Sequence, residues 1–260
     1  MKLDLLTQQV IALSTEVATY IAGEAQKKVT VDLKTLNNLV TVVDKTAEKL
    51  FVEGLSKILP EAGFIAEEGT STKKGETYNW VVDPLDGTTN FVHNIPAYCT
   101  SVALVKNGLP IIGVVYAVQQ QECFSAYLGG GASMNGNPIF CSDNALLKNA
   151  LLATGFPYDD FSREESYLKA FQYFFRNTRG LRRLGSAALD LAYVACGRFD
   201  GFFEYGLNPW DVAAGALIVQ EAGGVVTDFK QGTDYIFGEE IIASSTPIQQ
   251  AFSKVLEDVF

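Results

Sequence analysis

The sequence has few of the residues on which several common protein chemistries depend. Its four cysteines, among 260 residues, each stand alone: Cys99, Cys123, Cys141 and Cys196. No CxxC pair and no neighbouring histidine accompany them, so a zinc knuckle, a thioredoxin-like motif and a disulfide framework are all unsupported. The single histidine, His93, has no basic partner in its motif, and we interpret it as structural or peripheral rather than catalytic.

Positive charge is also scarce. Lys and Arg total 20 against 30 Asp and Glu, for a formal net charge of −10. Nucleic acids and anionic membrane surfaces favour a basic face, so we expect neither as the main partner. An acidic protein that handles a phosphorylated substrate would need metal ions between the two negative charges. The first 28 residues carry polar and acidic side chains throughout, unlike a signal peptide or a membrane span, so we expect a cytoplasmic protein.

Apolar residues are plentiful and follow clear periodic patterns. They make up 48% of the chain, enough for one large domain or for two smaller halves that share an interface. Helical spacing predicts a long amphipathic helix from Leu3 to Ile21 and a second helix over 44–58. Short apolar runs between Gly, Pro and Asn clusters predict strands at 63–66, 78–82, 98–105, 111–118 and 123–127.

The pattern changes after Gly129, where helices alternate with short apolar strands. Helices are predicted at 164–175, 186–196 and 209–222, and after Pro247. We therefore expect an α+β half over 1–142, built on an antiparallel sheet, and an α/β half over 143–260.

The most informative segment is the run WVVDPLDGTTNF at 80–91. An apolar strand ends at Asp83, a proline turn and Asp86 follow, and Gly87 opens a helical turn. Carboxylates at a strand end that face a helix N-terminus form a recurrent ligand site, and the N–H groups of Gly87 and Thr88 suit a phosphate. Taken alone, these residues are explained slightly better by a proline turn at Asp83 and a helix N-cap at Asp86.

Two further acidic groups stand at element ends. Glu67 and Glu68 follow the strand at 63–66, where a solvated loop would also explain them. Asp211 lies in the first turn of a helix that Asn208 opens, where helix capping accounts for it. Three element ends thus each present a carboxylate, and hard divalent cations such as Mg²⁺ prefer oxygen ligands of this kind.

These motifs resemble the two signatures of the inositol monophosphatase family. The first is DPLDGTTNF at 83–91, and the second is WDVAAG at 210–215 with EAGG at 221–224. The segments at 39–44 and 64–68 also fall at the expected places, so the resemblance covers nearly the whole chain. It implies a layered α/β/α/β/α sandwich of the inositol monophosphatase and fructose-1,6-bisphosphatase type, with the active site between the two halves.

The resemblance also implies a metal site with two to three Mg²⁺ ions. The implied ligands are Glu67, Asp83, the Leu85 carbonyl, Asp86 and Asp211. The first three would hold the ion that polarises the attacking water. Asp83, Asp86 and Asp211 would hold the ion beside the leaving group, and Glu67 would share a weaker third ion.

Catalytic and substrate-binding roles follow from the same resemblance. Thr88 and Asp44 would orient and deprotonate the water, which attacks phosphorus in line without a covalent phosphoenzyme, so the implied catalytic residues are Glu67, Asp44 and Thr88. The implied substrate contacts are Asp86, Gly87, Thr88, Gly185, Ser186, Ala187, Glu204 and Asp211. Glu204 would bind sugar or cyclitol hydroxyls, although a surface charge at a strand end explains it as well. The segment after Lys34 is one residue shorter than in the family, so no role is carried over to Lys34.

The implied activity is Mg²⁺-dependent hydrolysis of a small phosphorylated metabolite, with inositol 1- (or 4-)monophosphate as the preferred substrate. Hydrolysis of the NADP(H) 2′-phosphate, of fructose 1,6-bisphosphate or of both is the alternative on the same fold. A regulatory or scaffold protein is the non-enzymatic alternative, since some relatives take part in transcription complexes. The resemblance further implies a homodimer and inhibition by lithium.

Overall fold

The computed structural model describes residues 1–27, 31–33, 39–157 and 160–260. Within these ranges the chain forms seven α-helices: α1 (Leu3–Glu24), α2 (Val42–Ile58), α3 (Thr88–Val92), α4 (Glu164–Asn177), α5 (Ala187–Ala195), α6 (Pro209–Glu221) and α7 (Gln249–Glu257). The same ranges hold fourteen strands: β1 (Val31–Leu33), β2 (Leu39–Thr41), β3 (Gly63–Ala66), β4 (Tyr78–Asp86), β5 (Cys99–Lys106), β6 (Leu109–Ala117), β7 (Glu122–Tyr127), β8 (Ala132–Met134), β9 (Asn137–Pro138), β10 (Leu151–Thr154), β11 (Gly180–Arg182), β12 (Gly201–Tyr205), β13 (Gly224–Thr227) and β14 (Glu240–Ser245). Among the residues described, no helix has the length and apolar surface needed to span a lipid bilayer.

Strands β3 to β9 form a seven-stranded sheet in chain order. β3 is parallel to β4, and all later neighbours pair antiparallel. The expectation of an antiparallel sheet is therefore wrong at this edge. The chain after β3 returns along that strand, where the Phe64 N–H donates to the Lys73 carbonyl oxygen (2.8 Å). β4 consequently starts at the same end of the sheet as β3.

Side chains of this sheet alternate between two helical layers, as the pleat of a strand requires. Trp80 and Val82 of β4 pack in a core with Val17 of α1 and Phe51 of α2. Val81 points to the opposite face and packs in the core that contains α5 and α6. Both faces of the sheet are therefore covered, which accounts for the nearly continuous apolar sequence of β4 and β5.

The second sheet has five strands in the order β11-β10-β12-β14-β13. β10 is parallel to β11 and β12, whereas β14 is antiparallel to β12 and β13. α5 and α6 share a core with residues of both sheets and so lie between them. On the outer face, Phe174 of α4 and Phe252 of α7 pack against Phe203 of β12. The layers are α/β/α/β/α, which confirms the predicted fold.

α6 lies in the middle layer, and this position explains its apolar sequence. Every residue from Val212 to Val219 is buried. Small residues allow the close approach: a Cβ on Gly113 of β6 would lie 2.6 Å from the Ala214 carbonyl oxygen, and one on Gly215 would lie 2.6 Å from Leu191 Cβ of α5. Because neighbours surround α6, its first turn is fixed relative to both sheets.

β4 continues beyond the predicted end of its strand. Pro84 has no N–H to give to the ladder, so pairing is interrupted after Asp83. Asp83 pairs with Ser101, and pairing resumes at Asp86 opposite Cys99, with an irregularity between the two aspartates. Both aspartates of the motif therefore belong to one bulged strand. α3 follows at once, as the predicted helical turn requires.

Candidate active site

A cleft opens where β4 and β12 end and where α3, α5 and α6 begin. Its cavity has a volume of about 110 Å³. Six carboxylate side chains line it: Glu67, Asp83, Asp86, Asp190, Glu204 and Asp211. The other predicted residues that line it are Leu85, Gly87, Thr88, Gly185, Ser186 and Ala187. Asp44 is the one predicted site residue outside this lining, and it reaches the cleft through Thr88.

The bulge in β4 fixes Asp83. This residue is 2% exposed, and its carboxylate accepts a hydrogen bond from the Leu85 N–H (2.9 Å). The Leu85 carbonyl oxygen lies 3.0 Å from the Thr88 hydroxyl oxygen. The proline-induced bulge thus holds a carboxylate and a backbone carbonyl oxygen at one edge of the cleft.

Asp86 is held by the start of α5, which follows it by about a hundred residues. Its Oδ2 atom accepts hydrogen bonds from the Ser186 hydroxyl (2.8 Å) and the Ala188 N–H (2.8 Å). The Cys99 thiol lies 3.9 Å from the same oxygen. These contacts converge on Oδ2, so Oδ1 is the oxygen left for a ligand.

Asp211 lies in the first turn of α6. Its carboxylate accepts a hydrogen bond from the Asn208 N–H (2.7 Å), as helix capping predicts. The Ser101 hydroxyl donates to the Trp210 carbonyl oxygen (3.0 Å) and ties this turn to β5. The capping explanation and the ligand explanation are compatible, because the same turn faces the cleft.

Asp44 and Thr88 form a hydrogen-bonded pair. The Thr88 hydroxyl lies 2.8 Å from Asp44 Oδ1. The other oxygen of Asp44 accepts from the N–H (2.8 Å) and the hydroxyl (2.5 Å) of Thr41 at the start of α2. Asp44 is 1% exposed, and burial raises its pKa. The pair therefore connects α2 to the cleft through a buried carboxylate that is a better proton acceptor than a surface aspartate.

The carboxylates of the cleft raise one another's pKa values. Burial raises the pKa of Asp83 well above its ordinary value, and three neighbouring carboxylates raise it further. Burial also raises the pKa of Asp86 to about 6. For Asp211, burial and then the charge of Asp86 raise the pKa well above its usual range. A cluster of this kind is stabilised by protons or by cations.

The chemistry of the donor set fits a hard divalent cation such as Mg²⁺. Every donor is an oxygen, and the donors include a backbone carbonyl beside carboxylates, as such ions prefer. Among the residues described, no three His, Cys, Asp or Glu side chains stand close enough to enclose an ion in their present rotamers. A bound cation would offset the repulsion between these carboxylates.

The inner end of the cleft carries two more carboxylates. Glu204 is 8% exposed and lines the cleft. It is therefore not a surface charge, which was the alternative explanation that the sequence left open. Its carboxylate lies against Gly155, where a Cβ would overlap it. Asp190 is 1% exposed, and its Oδ1 has no hydrogen-bond partner among the described residues. Burial, and then the charge of Asp211, raises the pKa of Glu204, which the Arg183 guanidinium partly offsets.

Sequence reasoning missed three residues around this site: Gly155, Asp190 and Glu48. Asp190 and Glu48 are acidic residues inside helices, where polar side chains usually face solvent, so no local signal marks them. Helical spacing does put Glu48 one turn after Asp44, which would have placed it on the same face of α2. His93 is exposed and does not line the cleft. Lys34 lies outside the described residues.

Comparison with known proteins finds one family along the whole chain. A family model described as the inositol monophosphatase family matches residues 2–259. The chain is 42% identical over 234 residues to Nus factor SuhB of Pseudomonas aeruginosa, covering 88% of this chain and 86% of that one. It is 39% identical over 255 residues to the inositol-1-monophosphatase of Synechocystis, covering 98% of this chain and 88% of that one.

The fold is also found in solved structures. The extragenic suppressor protein suhB of Bartonella henselae matches with a TM-score of 0.91 and 37% identity, covering 97% of this chain and 98% of that one. Similar proteins thus carry two kinds of name, inositol-1-monophosphatase and Nus factor SuhB.

Proposed function

Because the chain belongs to the inositol monophosphatase family, we propose that it hydrolyses phosphate monoesters, with inositol 1- (or 4-)monophosphate as its preferred substrate. The observation that carries this proposal is the meeting of Asp83, Asp86 and Asp211 in one cleft beside the Thr88–Asp44 hydrogen bond. Buried carboxylates that face each other repel and are costly to a fold, so their retention favours a role in catalysis.

Mg²⁺ is the metal on which this family generally depends, and two to three ions suit the oxygen donors of the cleft. Glu67, Asp83 and the Leu85 carbonyl would hold the first ion. Asp83, Asp86 and Asp211 would hold the second, and Glu67 would share a weaker third. When bound, such ions polarise a water molecule and neutralise charge on the phosphate and on the leaving oxygen.

Thr88 and Asp44 orient the attacking water in this proposal. With its hydrogen donated to Asp44 Oδ1 at 2.8 Å, the Thr88 hydroxyl oxygen accepts a hydrogen bond from the water. As the water oxygen bonds to phosphorus, its proton passes through Thr88 to Asp44, whose pKa burial has raised. The attack is in line, the bond to the leaving oxygen breaks without a covalent phosphoenzyme, and that oxygen takes up a proton from water to leave as the alcohol.

The remaining predicted residues hold the substrate. The N–H groups of Gly87 and Thr88, at the start of α3, bind phosphate oxygens. Gly185, Ser186 and Ala187 form the turn that faces the alcohol, and Glu204 accepts hydrogen bonds from its hydroxyl groups. Asp86 and Asp211 lie between these two regions and contact the substrate near the ester oxygen.

Two other functions remain as candidates. The same cleft would hydrolyse the 2′-phosphate of NADP(H) or fructose 1,6-bisphosphate, since both are phosphate monoesters of polyhydroxylated alcohols. The relatives named Nus factor SuhB favour a regulatory or scaffold role as the second candidate. A scaffold has no requirement for the carboxylate cluster, whereas a hydrolase depends on it.

The test is phosphate release from the three substrate classes in parallel, with Mg²⁺ present and with EDTA as a control. We expect Mg²⁺-dependent turnover that is fastest with inositol 1-phosphate and inhibited by lithium. Asp86→Asn keeps an oxygen for Ser186 and Ala188 but removes the charge, and it should abolish turnover. Native protein that binds Mg²⁺ yet hydrolyses none of the substrates would support the scaffold candidate instead.

A further inference from the structure

α2 carries a second buried carboxylate one helical turn after Asp44. Glu48 is 0% exposed, and its carboxylate accepts three hydrogen bonds. Its Oε2 accepts from the Glu68 N–H (2.6 Å), and its Oε1 accepts from the N–H (2.7 Å) and the hydroxyl (2.7 Å) of Thr70. All three donors belong to the loop that follows β3.

This loop begins with Glu67. On one side, the Glu67 N–H donates to the Val82 carbonyl oxygen of β4 (3.2 Å). On the other side, the next peptide N–H, that of Glu68, donates to Glu48. The backbone of Glu67 is therefore fixed from β4 and from α2 at once, although the loop has no regular secondary structure of its own.

We propose that Glu48 is a positioning residue that holds Glu67 in place for the metal ion. The inference rests on the proposed function only in taking Glu67 as a metal ligand. Two carboxylates on one face of α2 then position groups of the cleft. Asp44 acts on Thr88, and Glu48, four residues later, aligns the loop that supplies Glu67.

A purely structural role for Glu48 makes a different prediction. Loss of a structural anchor would lower stability and would affect metal binding and turnover together. Loss of a positioning residue weakens the metal site selectively, and removal of a group that hydrogen-bonds to a metal ligand typically lowers metal affinity by about 10–100-fold. Metal affinity measured on the metal-free protein, taken together with the Tm of the same protein, therefore separates the two roles without reference to activity.

The decisive variants are Glu48→Gln and the pair Thr70→Val and Thr70→Ser. Glutamine has the shape of glutamate but turns an N–H₂ group toward one of the loop donors. Valine removes only the hydroxyl contact of Thr70, whereas serine keeps it. Glu53→Gln makes the same chemical change on an exposed position of α2 and serves as the matched control.

Mn²⁺ binding to metal-free protein, followed by electron paramagnetic resonance and calorimetry, is the first readout. We expect Glu48→Gln to raise the Kd of the tightest ion about tenfold or more. Thr70→Val should raise it severalfold, and Thr70→Ser and Glu53→Gln should leave it unchanged. In turnover assays, Glu48→Gln should need more Mg²⁺ for half-maximal rate and should recover most of the native kcat at saturating Mg²⁺.

Unchanged Mn²⁺ affinity in a folded Glu48→Gln protein would overturn the proposal. If that variant does not fold, equal affinities for Thr70→Val and Thr70→Ser would overturn it. Failure of the proposed function alone would give a different result. Native protein would then bind Mn²⁺ tightly, its Mn²⁺ affinity would change with these substitutions, and it would release no phosphate. Native protein that binds no Mn²⁺ would overturn both.

Discussion

At the scale of single residues, Asp86 is the cleft carboxylate with a clear consequence for pH. Burial raises its pKa to about 6 in the folded protein, from an ordinary value of 3.8. Because the folded pKa lies above the unfolded one, the folded state of the metal-free protein binds this proton more tightly. The resulting stability is complete below the ordinary value and is lost as the pH rises through about 6.

We therefore expect Asp86→Asn to stabilise the metal-free protein at pH 7.5, because asparagine cannot acquire the buried charge. Tm should rise by about 2–4 °C for each 1 kcal/mol of relief, and the gain should shrink toward zero at about pH 4, where Asp86 is protonated in the fold. Thermal unfolding in EDTA measures both values, with the exposed Asp143→Asn as control. A variant less stable than native at pH 7.5 would contradict this account.

Gly155 is a second residue with a specific prediction, because the Glu204 carboxylate occupies the space of its missing Cβ. Gly155→Ala should displace Glu204. The KM for inositol 1-phosphate should then rise by about tenfold, because one charge-assisted hydrogen bond to the substrate is lost. The rate with p-nitrophenyl phosphate, which has no hydroxyl groups for Glu204, should change little. Gly23→Ala, where a Cβ meets no atom within 4 Å, is the matched control. Equal losses on both substrates would indicate general damage to the cleft instead.

At the scale of elements, Asn90 joins α3 to the turn before α5. Its Nδ2 atom donates to the Ala97 carbonyl oxygen (2.6 Å) and to the Leu184 carbonyl oxygen (2.7 Å). Leu184 directly precedes the turn that holds Asp86 through Ser186 and Ala188. This one amide thus fixes the first motif against an element some ninety residues later.

Asn90→Asp should break this link, since a carboxylate has no N–H to offer the two carbonyl groups. We expect stability to fall by about 1–3 kcal/mol for each buried carbonyl left without a donor. Urea unfolding measures the loss, and Asn137→Asp, at an exposed position, provides the comparison. A loss as small as that of the control would mean that other contacts hold the turn at 184–186.

The sequence predicted the elements well because their signals are local. Pro209 and Asn208 mark the start of α6, and nearly continuous apolar runs mark β4 and β5. The sequence also predicted that Asp83, Asp86 and Asp211 lie in one site. That prediction came only from the family resemblance, since no local pattern reports a contact between residues 86 and 188. The continuation of β4 through Pro84, and the approach of Glu204 to Gly155, depend on tertiary packing and could not be predicted from either segment alone.

At the scale of the whole molecule, we propose that α4 carries the contact surface of the predicted homodimer. Leu168 and Phe175 lie seven residues apart on α4, hence on the same helical face. They are 53% and 63% exposed, and an apolar face of this kind is typical of an interaction surface. The cytoplasmic location of the protein also stays a prediction, as does the division of the chain into two halves between residues 142 and 143.

We expect light scattering after size exclusion to give twice the 28.3 kDa mass of the chain. Phe175→Glu should shift the protein to a monomer at micromolar concentration, because it places a charge in the apolar contact. Lys57→Glu, at an exposed position of α2, should leave the mass unchanged. A monomeric native protein would contradict the prediction directly.

The middle position of α6 also bears on how the chain emerges from the ribosome. The seven-stranded sheet is complete once Pro138 has been made, yet α6, which covers one of its faces, begins only at Pro209. At about 5–20 residues per second, the intervening segment takes about 4–14 seconds to synthesise. Until α6 is made, this apolar sheet face is incompletely covered, and newly made chains are open to capture by chaperones or by one another. Growth temperature and chaperone supply should therefore affect the yield of this protein more strongly than the stability of its folded state would suggest.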